Sequence, residues 1–210
     1  MSRRSFTIQA EIIDIRQDVP TAEDIFFVDT NVWYWLTYPK ADLPSLSSRS
    51  RPREYQIQTY PTYLESTQQA SAALYCSGLT LSELAHRIET IECEIIHGQG
   101  FPLKRFRQEY PAERRGVFEE IEASWAQITS FAEVLPLAID ANTTEAALAR
   151  LSGELIDGYD LFILETMKAH GVTQVITDDG DYSTVSGIRV FTANRNIIES
   201  ARMQGKLRNR

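Results

Sequence analysis

A chain of 210 residues, 43% hydrophobic and 24% charged, has room for one full-sized core and the composition of an ordinary globular protein. Its 29 acids against 21 lysines and arginines give a net charge of −8, which excludes a protein that coats nucleic acid non-specifically. No stretch approaches the length of an apolar membrane span, and Met1–Phe6 carries arginines with no apolar run behind them, so neither a transmembrane helix nor a signal peptide is expected.

In chain order, Phe6 to Ile15 partly alternates and reads as a strand, at a sheet edge or against a second subunit. Ile25-Phe-Phe-Val28 is a continuous apolar run, as in a parallel strand buried on both faces, and Asp29-Thr-Asn31 follows at once. Asp29 stands at that strand's end; turn or capping duty before the next apolar segment is the plain alternative to a chemical role. Residues 38–60, rich in Pro, Ser, Arg and Tyr, read as a surface loop, and Pro61 to Ser77 as a helix stopped by Gly78. A long helix opens at Thr80, with Leu81, Leu84, Ile88, Ile91 and Ile95 as its stripe. Glu83 lies on the flank of that stripe, either at the core's edge or in an i,i+4 ion pair with Arg87.

Residues 101–110 predict a loop or short helix, Pro111 starts another helix, and Val134–Leu137 a short strand. Asp140 to Glu145 leads into a helix over Ala146–Ile156. Asp160 opens the helix through Ala169, where a carboxylate is favoured by the helix dipole alone. Val175-Ile-Thr177 then runs into Asp178, Asp179, Gly180 and Asp181, a buried strand ending in a turn. Ile188–Thr192 gives a last strand and Asn196–Gln204 a last helix. The alternation from residue 25 onward predicts an α/β fold with a parallel sheet covered on both faces.

Four elements thus deliver an acid near a strand end or helix start: Asp29, Glu83, Asp160 and the 178–181 group. Acids in an open α/β sheet that collect outside the carboxyl ends of strands suggest a metal site, and oxygen-only ligands favour Mg²⁺ or Mn²⁺. The histidines show no ligand spacing, and no nucleophile elbow or phosphate loop is present. Cys76 and Cys93 form no CxxC and read as reduced core residues of a cytoplasmic protein.

The basic residues are bunched at Arg49, Arg51 and Arg53, at Lys104, Arg105, Arg107, Arg114 and Arg115, and in the tail at Arg202, Lys206, Arg208 and Arg210. Lys104, Arg105, Arg107, Lys206 and Arg208 are the candidates for nucleic-acid contact; solvated faces and a frayed tail are the alternative.

The motifs carry a resemblance. Val28-Asp29-Thr30-Asn31, Glu83 within Thr-Leu-Ser-Glu-Leu, Asp160-Leu-Phe-Ile-Leu and Thr177-Asp-Asp-Gly-Asp-Tyr182 occur in the order found in PIN-domain proteins, the family that includes VapC-type ribonuclease toxins. The resemblance implies a three-layer α/β/α fold with a mostly parallel sheet over 25–200; an N-terminal strand extension over 1–24 and a basic tail over 201–210 lie outside it. It implies Asp29, Glu83, Asp160 and Asp179 as catalytic metal-binding acids, Asp181 as an auxiliary ligand, Asp178 in a variable position, and Thr30, Asn31 and Thr177 as supporting donors. The function implied is Mg²⁺- or Mn²⁺-dependent cleavage of RNA, with an antitoxin partner and pairing into a homodimer. A PIN-fold RNA- or protein-binding module without turnover is the alternative. The extension 1–24, the loop 38–60 and the bulk of 97–133 depart from compact toxins.

Overall fold

Strands with apolar residues at successive positions need cover on both faces. A computed structural model of the chain, describing residues 7–48, 50–156 and 158–210, supplies it. Met1–Phe6, where the signal-peptide reading and the first residue of the N-terminal strand fall, lie outside the described residues, as do Arg49 and Asp157. The strands are β1 (Glu11–Asp14), β2 (Ile25–Val28), β3 (Ala73–Ser77), β4 (Glu133–Leu135), β5 (Gln174–Ile176), β6 (Arg189–Thr192) and β7 (Leu207–Arg208). Among the described residues these seven form one sheet, in the order β4-β3-β2-β5-β6-β1-β7, with every pairing parallel.

Alternation along the strands divides the interior in two. Phe26 and Val28 enter one core with residues of α1 (Thr30–Thr37), α2 (Glu54–Gln69), α3 (Gly78–His97), α4 (Leu103–Glu109) and α5 (Pro111–Phe131). Phe27 enters the other, with residues of α6 (Ala141–Arg150), α7 (Asp160–Ala169) and α8 (Arg195–Met203). Both phenylalanines are fully buried, each worth about 1.5–3 kcal/mol in removed apolar surface. The result is the expected three-layer α/β/α arrangement.

Winding from β2 goes one way through β3 and β4 and the other way through β5 and β6. The tips of β2 and β5 therefore lie side by side at the point of reversal, where a doubly wound sheet leaves a crevice. Val28 pairs with Ile176, and the Asp29 N–H carries the ladder one bond further, to the Ile176 carbonyl at 3.0 Å.

Three expectations change. The helix anticipated over Pro61–Ser77 is α2, which begins at Glu54 inside the anticipated loop and runs straight through Pro61. Burial of Tyr60, Tyr63 and Leu64 holds the segment helical despite the proline, an instance of packing overriding propensity. Ser71 breaks the chain with a φ of 60°, and Ala73–Ser77 is then a strand between β2 and β4, missed because its residues show no β-branched run. The N-terminal strand is neither at the edge nor left for a second subunit: β1 sits between β6 and β7.

The tail is the third change. Leu207 pairs with Ile12, so the last residues close the sheet instead of fraying. Arg210 then clamps Asp18 (2.6 Å) and Asp24, whose side chains are buried, and lies over the Phe191 ring at 4.7 Å.

Candidate active site

Thr177, just past β5, organises the crevice. Its hydroxyl donates to Asp29 Oδ2 at 2.7 Å and accepts the Asp179 N–H at 2.9 Å, so one side chain sets two of the acids. Asp29 stands at the N-cap of α1 but its carboxylate makes no capping bond; the capping alternative does not hold. A longer contact of 3.4 Å from the Asn31 amide falls on the same Oδ2.

Asp29 is 4% exposed. Burial first, and then the charges of Asp160 and Glu83, push its carboxyl well above the ordinary carboxylate range; Asp179 adds to the effect and the Thr177 bond partly offsets it. Three acids from three other elements, Asp160, Glu83 and Asp179, therefore act on the buried Asp29.

Each of the others has a support of its own. Glu83, in the second turn of α3, accepts the Thr30 hydroxyl at 2.6 Å. The alternative ion pair with Arg87 does not form: Arg87 turns to the Asn31 side-chain oxygen and lies over the Tyr34 ring at 4.4 Å. Asp160, first residue of α7, accepts the Tyr182 hydroxyl at 2.8 Å. Tyr182 is fully buried, and its phenol is held well above its usual range by burial and then by Asp160 and Asp29. Asp179 Oδ1 accepts the Asp181 N–H at 2.9 Å, and Asp181 opens a single 3-10 turn over Asp181–Thr184.

Asp178 faces the other way, as alternation at a strand end requires. Its carboxylate accepts Tyr55 (2.9 Å), Gln56 (2.5 Å) and Tyr60 (2.7 Å), all from α2. It ties that helix to the end of the sheet and takes no part in the acidic group. Sequence reasoning gave Tyr182 and Arg87 no role in the site. Tyr182 had a legible signal in its place at the end of the Asp-Gly-Asp turn; Arg87 had none beyond its spacing from Glu83.

Among the described residues no three acids already stand at the spacing that grips a metal ion. The donor set nevertheless suits a hard divalent cation: all-oxygen ligands, with Asp29 and Glu83 held by hydroxyls and, among the described residues, not by a lysine or arginine. Two carboxylates about 4 Å apart repel by roughly 4 kcal/mol at an effective dielectric of about 20, and a cation or a proton is what relieves this.

The basic candidates separate. Lys104, Arg105 and Arg107 lie on α4, where Arg105 pairs with Glu109 at 2.6 Å, and Arg107 and Arg114 both pair with the buried Glu89. Lys206 reaches the Gln9 carbonyl and Arg208 pairs with Glu11, at the β7 edge of the sheet and away from β3 and β4. The two groups form no single patch.

The family model described as PIN domain matches residues 26–188, more than three quarters of the chain and every acid of the crevice. The chain belongs to the PIN domain family. No curated protein and no solved structure was found to match it. PIN domains are generally nucleases that use divalent metal ions. Strands β1, β6 and β7 and helix α8 lie beyond the match, so the segments outside the PIN domain finish its sheet. No helix among the described residues is long and apolar enough to cross a membrane.

Proposed function

We propose that the protein is a metal-dependent endoribonuclease that hydrolyses RNA phosphodiester bonds. What supports the reading above all is Asp29: a buried carboxyl at the winding reversal of the sheet, under the charges of Asp160, Glu83 and Asp179. Residues Asp29, Glu83, Asp160 and Asp179 would hold Mg²⁺ or Mn²⁺, with Asp181 alongside. When bound, the cation supplies positive charge against the carboxylates and against charge developing on phosphate oxygens. Thr177, Thr30 and Tyr182 hold the carboxylates in place beforehand, so little reorganisation is left for the reaction itself.

The test is cleavage of a labelled single-stranded RNA with Mn²⁺ and with EDTA, by the wild type and by Asp29→Asn. Metal-dependent cutting lost in the variant is the expected result; RNA binding without turnover by the wild type would leave a binding module. Restraint by an antitoxin belongs to the same proposal: expression of the chain alone should arrest growth, and expression of Asp29→Asn should not.

A further inference from the structure

Arg87 is oddly placed for a surface arginine. Its neighbour one turn back, Glu83, takes a hydroxyl from Thr30 instead, and among the described residues the guanidinium makes one hydrogen bond, from Nη1 to the Asn31 side-chain oxygen. Nε is buried with no hydrogen-bond partner. The guanidinium lies over the Tyr34 ring, its carbon 4.4 Å from the ring centre, and Tyr34 is itself fully buried. A guanidinium held over a rigid ring is pre-aimed, and among the described residues Asn31 is the acceptor its terminal N–H groups find.

The space in front of it decides what those donors are for. Arg87 lines a pocket of about 300 Å³ together with Glu83, Thr30, Asn31 and His86. The pocket therefore adjoins the acidic crevice, at the end where Glu83 enters it. A cation beside Glu83 would be expected to pair with its carboxylate; this one lies over Tyr34 and bonds Asn31 instead.

We propose that Arg87 grips a phosphate of the bound RNA next to the carboxylates, by a fork of two N–H groups, with Tyr34 and Asn31 as its mount. The proposal rests on the RNA reading of this crevice. It separates attraction from chemistry: the acids repel a polyanion, and Arg87 is the charge that offsets this at the point of cutting. It also explains the Asn31 contact, because Arg87 draws the amide oxygen and turns the amide nitrogen toward Asp29.

The experiment measures binding apart from cleavage. Asp29→Asn in EDTA is titrated against a fluorescein-labelled single-stranded RNA at several salt concentrations, and the titration is repeated with Arg87→Met and Arg87→Lys added. Arg87→Met should weaken binding about tenfold and reduce the slope of log affinity against log salt by about 0.7, the loss of one neutralised phosphate. Arg87→Lys should restore the slope but not the full affinity, since a point charge replaces the fork. The lysine variant also guards against misfolding, and equal melting temperatures confirm that the fold is kept. Equal affinity and slope in all three proteins overturn the proposal, as does an absence of RNA binding by the Asp29→Asn parent. Arg87-dependent binding by a wild type that cuts nothing would sink the nuclease reading and leave this one standing.

Discussion

The Thr177 hydroxyl donates to Asp29 Oδ2 across 2.7 Å, joining the tips of two neighbouring strands at residues 148 apart in sequence. The same oxygen accepts the Asp179 N–H, so the bond fixes the acid after β2 and the acid after β5 together. Thr177→Val keeps the shape and removes both interactions. The fold should lose about 1–3 kcal/mol, as for a buried acceptor left without its donor, and RNA cleavage should fall with it. Urea unfolding and an initial-rate assay check the two halves; an unchanged rate would show that Asp29 needs no such support.

Metal-free stability should depend on pH through Asp29. Its carboxyl titrates well above the ordinary range in the fold and near about 3.9 when unfolded. The folded state therefore holds a proton that the unfolded state has released, and stability from this group is lost as pH rises from about 4 through the raised folded value. In EDTA the melting temperature should fall over that rise, and Asp29→Asn should flatten the difference. A wild type and variant that keep the same pH profile would contradict the assignment.

Asp160→Asn should behave oppositely in stability and in activity. Removing one charge from the group around Asp29 relieves repulsion, so in EDTA the variant should melt higher than the wild type, by about 1 kcal/mol of stability. With Mn²⁺ the added stabilisation should shrink, and cleavage should fall by orders of magnitude. Lower melting in EDTA together with retained cutting would show that the carboxylates are not the active site.

Adjacent carboxylates after β5 should separate cleanly. Asp179→Asn should abolish cleavage and leave the fold near its wild-type stability. Asp178→Asn should keep most of the activity and cost about 1–2 kcal/mol, since it weakens a half-buried carboxylate held by Tyr55, Gln56 and Tyr60. Activity and denaturant midpoints for the pair decide it; the reverse pattern would exchange their roles.

The tail should prove structural. Arg210→Met leaves the buried Asp18 and Asp24 without their cation and should cost about 2 kcal/mol or more. Salt dependence of RNA binding should not change with it. Unaltered stability would return the tail to the list of phosphate contacts.

What the amino-acid sequence determined was local. Asp29, Asp160 and the 178–181 group stood out because each is tied to an event within a few residues: an apolar run ending, a helix starting, a strand meeting an Asp-Gly turn; the choice of Asp179 within that group came from the family resemblance. The layered α/β class followed from apolar runs alternating with helical stripes. Tertiary structure decided the rest, because the deciding partners are far apart in the chain. Glu83 was ambiguous between the crevice and Arg87 until Thr30, 53 residues away, took its carboxylate. The strand Ala73–Ser77 exists because β2 and β4 flank it, and Leu207–Arg208 because β1 offers a free edge; neither has a β-branched run to announce it. The roles of Tyr182, Arg87 and Asp178 are likewise long-range. A hydrogen bond or an aromatic stack needs atoms within a few ångströms, and residue spacing alone carries no such distance once the chain has turned back on itself.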